Sequence, residues 1–201
     1  MTSDADSLID QFNAALGKMP GGQHLSVQRR VVDLFLGISI AYSERQSAIF
    51  DRIVGCLIEC SDHRAVFDLS RRLATVDNVP AQAMSRLAGH HDITIAAPVL
   101  DASSVLTDQC LTSIVKTKGH NHVYAIAGRK QISETVTDAL IERGHLNSIR
   151  RAVENTGARF SELGFTKVVQ MARHNTALCS ALAGRKDLPP ELRPFLRKAG
   201  A

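Results

Sequence analysis

Tryptophan is absent from this chain, and seven Phe and two Tyr bring the aromatic share to only 4%. A core must therefore be built from Leu, Ile, Val and Ala, and stacking platforms for nucleobases are scarce. Cysteine is nearly as sparse. The four residues, Cys56, Cys60, Cys110 and Cys179, form no evenly spaced framework, which argues against a disulfide scaffold and for a reducing, cytoplasmic setting. No apolar run approaches the roughly 20 residues that a membrane helix needs. The candidate Val31–Tyr42 is short and amphipathic, and the acidic start Met1–Asp10 lacks the basic and apolar regions of a signal peptide. No run of five basic residues marks a nucleic-acid arm.

Catalytic signatures are missing too. There is no Gly-x-Ser-x-Gly elbow, no glycine-rich phosphate loop and no His-Glu-x-x-His pair. The chain is therefore expected not to be an enzyme, and no cofactor or metal is expected. His90-His91 and His120-x-His122 fall in or near turns, where ordinary solvation accounts for them, because a metal needs three or four converging ligands. Glu142-x-x-His145 is broken by Gly144. Cys110 and Cys179 lie in apolar helical stripes and read as inert core.

What is present is helical periodicity. Residues 1–24 read as an arm, with a short helix Ser7–Leu16 broken by Gly17-Lys18-Met19-Pro20-Gly21-Gly22. Residues 25–76 read as an amino-terminal helical region. Val27, Val31, Leu34, Phe35 and Ile38 mark one stripe. A second helix starts at Ser43-Glu44, and a third at Ser61-Asp62 carries Val66, Leu69 and Leu73.

From residue 77 to 201 one phrase recurs: an apolar residue, a helix starter, often an acid. Its copies are Val79-Pro80-Ala81, Leu106-Thr107-Asp108, Ile132-Ser133-Glu134, Phe160-Ser161-Glu162 and Leu188-Pro189-Pro190, at steps of 26 to 28 residues. Thr107, Ser133 and Ser161 suit N-caps, and the acids complement the positive end of the helix dipole. Pro80 and Pro189 suit a first helical position. Leu106 is placed to staple onto Leu111, and Phe160 onto Phe165. A second helix fills each interval: Ile93–Leu100, His122–Gly128, Ser148–Asn155 and Thr176–Gly184. Two of these end in Ala-Gly-Arg-Lys, 127–130 and 183–186, where the glycine suits a left-handed terminus. A helix pair repeated at fixed period cannot bury its own apolar face and must stack. The expected fold is all-α, an α-solenoid of short helix pairs with longer helices capping its amino-terminal end.

These phrases resemble a bacterial family, the domain of unknown function 2336 (DUF2336). The resemblance rests on Arg30-Val31-Val32-Asp33-Leu34-Phe35-Leu36, Ala96-Ala97-Pro98-Val99-Leu100, Gly157-Ala158-Arg159-Phe160-Ser161 and Asp187-Leu188-Pro189-Pro190-Glu191-Leu192, over roughly residues 28–198. It implies a HEAT-like helical repeat and carries no activity across.

The net charge of +4 permits an anionic partner without demanding one. Basic residues gather at Arg129-Lys130, Arg150-Arg151, Arg159 and Arg185-Lys186. Two of the pairs occupy equivalent repeat positions, so a basic ridge is one expectation. Compensation of helix dipoles at carboxy-terminal ends is the other. The functional expectation is a non-catalytic scaffold binding a protein with an acidic surface; nucleic acid is the alternative partner.

Overall fold

In the computed structural model every regular element among the described residues is helical, and an isolated parallel bridge, Ile132 to Ala158, is the one β contact. The structure describes residues 14–15, 17–18, 21–36 and 43–197. The helix expected at Ser7–Leu16 lies outside them, apart from Ala14 and Ala15. The chain divides into two compact units, Met1–Leu106 and Thr107–Ala201.

The first unit holds α1 (Gly21–Leu36), α2 (Glu44–Cys60), α3 (His63–Leu73), α4 (Ala81–Ala88) and α5 (Ile93–Ala102). Helix α3 packs on α1 and α5, while α2 packs on α4, so alternate helices share a row. Phe50, Leu57, Leu69, Leu73, Met84, Leu87 and Leu100 fill the core. Of the glycine-rich break expected at 17–22, Met19 and Pro20 lie outside the described residues; Gly17 and Lys18 are helical, and α1 begins at Gly21, inside the segment read as the arm. Glycine's helix penalty applies to helix interiors. Tertiary contacts hold α1: Arg29 donates to Asp68 at 2.9 Å, and Arg72 pairs with Asp33.

The second unit holds α6 (Asp108–Thr117), α7 (His120–Ala127), α8 (Glu134–Arg143), α9 (Leu146–Glu154), α10 (Glu162–Ala172), α11 (Thr176–Ala183), a 3-10 turn (Pro190–Leu192) and α12 (Arg193–Arg197). Helices α6, α8 and α10 pack in one row and α7, α9 and α11 in another, with α12 against α10 and α11. The expected caps form: Thr107, Ser133 and Ser161 accept from the N–H groups of Cys110, Val136 and Gly164. The rings of Phe160 and Phe165 lie 5.2 Å apart, so this staple closes.

Three local expectations are corrected. Pro80 and Pro189 precede the first helical residue as N-caps rather than occupying it. Gly128 and Gly184 end their helices at φ −93° and −76°, not in the left-handed region. Gly128 is needed for space instead, since a Cβ there would meet the Arg151 guanidinium at 2.1 Å. The left-handed terminus belongs to Gly144, at φ 76°, which ends α8. His122, expected to be solvated in or near a turn at the head of the helix His122–Gly128, lies within α7 and is buried. No helix among the described residues is long and apolar enough to cross a membrane.

Candidate interaction surface

The basic pairs occupy very different positions. Arg129 and Arg185 are each only 8% exposed, whereas Lys130 and Lys186 are exposed. The ridge expected from the Ala-Gly-Arg-Lys phrases is therefore corrected: its two arginines turn inward. For Arg185 the reason is plain. A helix end leaves carbonyls without intrahelical partners, and a guanidinium offers five N–H donors in a rigid fork. Arg185 donates to the carbonyls of Val153 (2.9 Å), Asn155 (2.8 Å) and Ala158 (2.7 Å), all belonging to the preceding helix end and loop. It also grips both oxygens of Asp187 at 2.8 and 2.6 Å, with its guanidinium 4.8 Å from the centre of the Phe160 ring. Burial works against ionisation of Asp187, but the Arg185 hydrogen bonds and charge prevail and hold its carboxyl below the ordinary value.

The other members of the set are also engaged within the fold. Arg151 stacks 4.3 Å above Tyr124 and donates to the Tyr124 carbonyl at 2.9 Å. Arg150 lies 3.6 Å from Glu154, and Arg159 lies 3.3 Å from Glu134. Asn155 bridges the carbonyls of Ala127 (3.2 Å) and Arg129 (2.7 Å). These bonds mostly reach back 25 to 32 residues, so the sequence period recurs as a hydrogen-bond period.

Sequence reasoning that looked for adjacent basic pairs missed a different set. The last turns of α6 and α8 carry Lys116 and Arg143, and the connections after α6 and α10 carry Lys118 and Arg173, all exposed or half-exposed. Arg143 donates to the carbonyls of Lys116 (3.2 Å) and Lys118 (3.4 Å), which brings the first two turns together. The rings of His120 and His145 meet edge-on at 4.8 Å across the same gap. Desolvation, then the charges of His120 and Arg143, pushes the His145 imidazole below its ordinary value. The signal lay in recurrence: a base at 116, 143 and 173, and a histidine at 120, 145 and 174.

In the first unit a cleft of about 430 Å³ lies along α2 and α4, lined by Glu44, Asp51, Arg52, Gln82 and Arg86. Its lining mixes both charges. Asp51 is buried and accepts from the N–H of Ala83 at 2.6 Å, supplying the helix cap that Pro80 cannot. Desolvation raises the Asp51 carboxyl above its ordinary value, with Ala83 and Arg86 opposing. The rings of His90 and His91 lie 4.3 Å apart, and His63 pairs with Asp92 at 3.0 Å. Among the described residues no three His, Cys, Asp or Glu side chains gather as metal ligands would. The cysteines form no disulfide and are half-buried rather than sealed in the core.

No curated protein and no solved structure matches the chain. A family model does, over residues 95–196, under the description "uncharacterised protein conserved in bacteria (DUF2336)". The match takes in the phrases at 96–100, 157–161 and 187–192 and leaves out Arg30–Leu36, so it is shorter than the resemblance read from the sequence. With just over half of its length matched, the chain belongs to the DUF2336 family of bacterial proteins.

Proposed function

We propose that this protein is a non-catalytic scaffold, a HEAT-like α-solenoid of short helix pairs that binds a partner protein in the cytoplasm. The observation that carries the reading is the register of the second unit. The second and third helix pairs there hydrogen-bond to carbonyls about one period back, through Arg143, Arg151 and Asn155 and through Arg185. Stacked pairs of this kind build long continuous surfaces, and such surfaces suit recognition of extended partners. Cysteines that form no disulfide suit a reducing compartment. Nucleic-acid binding is the second reading, motivated by the net charge of +4. It loses support with Arg129 and Arg185 buried and with few aromatic side chains available for stacking.

Cross-linking capture with the full chain as bait, followed by reconstitution with the purified candidate, tests the scaffold reading. A saturable complex with one protein is expected. Failure of any protein to exceed background in both steps rejects it. A titration with duplex and single-stranded DNA addresses the second reading, which requires affinity falling steeply with salt.

A further inference from the structure

We infer that the edge of the second unit formed by its three within-pair turns is a docking surface for an extended acidic protein segment. The inference rests on the scaffold reading and gives it a location and a chemistry. Four basic side chains stand at this edge: Lys116 at the end of α6 and Lys118 just after it, Arg143 at the end of α8 and Arg173 just after α10. Histidines 120, 145 and 174 sit beside them. Residues 113–121, 140–149 and 170–178 contain a single acid, Glu142, and it lies 3.8 Å from Lys167. Among the described residues no carboxylate lies within ion-pair distance of Lys116, Lys118, Arg143 or Arg173.

The backbone contributes both signs at this edge, since α6, α8 and α10 end there and α7, α9 and α11 begin there, and Arg143 covers two of the carbonyls near the end of α6. The first helical residues of α7, α9 and α11 all begin at this edge, and neither Gly119 nor His145 offers a side-chain cap. The leading N–H groups of all three carry the positive end of the helix dipole, and only α11 has a side-chain cap, from Asn175 to Leu178 N–H at 2.9 Å. Arg143, which ties the first turn to the second, also fixes the spacing of the cationic groups.

Geometry and composition favour a peptide over nucleic acid. Packed helices in one row lie about 8–10 Å apart, so three turns span roughly 18 Å. About six residues of extended chain cover that distance, with a side chain on one face every second residue. A short run of aspartate or glutamate therefore meets every turn. The same turns hold no Phe, Tyr or Trp on which bases could stack; Phe195, from α12, already lies against Arg173, its ring centre 5.9 Å from the guanidinium.

The test uses the full chain and a fluorescein-labelled peptide of about twelve residues with alternating glutamate and serine, long enough to cross all three turns. Two double variants carry the same change in charge: Lys116→Glu with Arg173→Glu on the edge, and Lys130→Glu with Lys186→Glu elsewhere. All four side chains are exposed, and circular dichroism checks that both variants keep their helix content. Wild type is expected to bind the peptide, the edge variant about tenfold or more weakly, and the control within about threefold of wild type. Equal losses in both variants, or an edge variant as tight as wild type, overturn the proposal. Edge-dependent binding of single-stranded or duplex DNA without peptide binding overturns it in favour of nucleic acid. The scaffold reading fails separately: wild type then captures no protein partner even though the peptide binds. If a partner is captured equally by wild type and the edge variant, the scaffold stands and the docking edge does not.

Discussion

The within-pair turns of the two units solve one local problem in opposite ways. In the first unit the second helix of each pair is capped by an acid: Asp62 accepts from Ala65 N–H at 2.9 Å and Asp92 from Thr94 N–H at 2.8 Å. Asp92 also holds His63, and the hydrogen bonds from Thr94 followed by the His63 contact keep its carboxyl below the ordinary value. In the second unit the same positions are Gly119, His145 and Asn175, and only neutral Asn175 caps, at 2.9 Å to Leu178 N–H. An aspartate cap contributes about 1 kcal/mol, so the second unit forgoes local stability at two turns and leaves a positive edge. Departures from local preference of this kind concentrate where a surface has work beyond folding.

The largest expected effect tests how each unit handles a buried charge. Arg185→Ala removes the donor from three carbonyls and releases Asp187, and should lower unfolding free energy by about 3 kcal/mol in urea titrations. The buried charge of the first unit, Asp51, makes one cap, and Asp51→Ala should cost about 1–2 kcal/mol. Equal losses would erase the distinction between a clamp and a cap.

An exchange of caps sharpens the comparison directly. Gly119→Asp with His145→Asp should raise stability by about 1 kcal/mol, read from the denaturation midpoint, while abolishing binding of the acidic peptide. Nothing stands within 4 Å of a Cβ at Gly119, and its extended backbone suits a cap residue. Conversely, Asp62→Ala and Asp92→Ala should each cost about 1 kcal/mol in the first unit. If the gain and the loss of binding do not occur together, the edge is not electrostatic.

The smallest effect separates the units by pH. Asp187 lies below its ordinary value when folded, so its contribution is present above the unfolded value of about 3.9 and fades as pH falls through the folded one. Asp51 lies above its ordinary value, so ionisation opposes folding and acidification through the folded value relieves it. Compared with Asp187→Asn, wild type should lose its advantage between pH 5 and 3; compared with Asp51→Asn, it should gain. Unfolding curves across that range check the two opposite slopes.

The repeat was readable because each start phrase uses short-range chemistry. Thr107, Ser133 and Ser161 cap within three residues, and Phe160 staples to Phe165 within five, so sequence spacing alone places them. The first unit was harder to read. Its α1 to α3 contacts join residues 39 apart, Arg29 to Asp68 and Arg72 to Asp33, outside the 26- to 28-residue rhythm. The candidate surface was barely legible. Arg129-Lys130 and Arg185-Lys186 look like paired charges, yet one member of each points into the fold.

The sequence by itself determined that this chain is helical, where the regular pairs begin and which residues cap them, since those features depend on neighbours a few positions away. The tertiary structure decided which charges stay at the surface. An arginine and a lysine have the same sign in a sequence, but the guanidinium fork of Arg185 is captured by carbonyls that only the preceding helix end supplies. Lys116, Arg143 and Arg173, far apart along the chain, become one edge only when successive pairs pack in register.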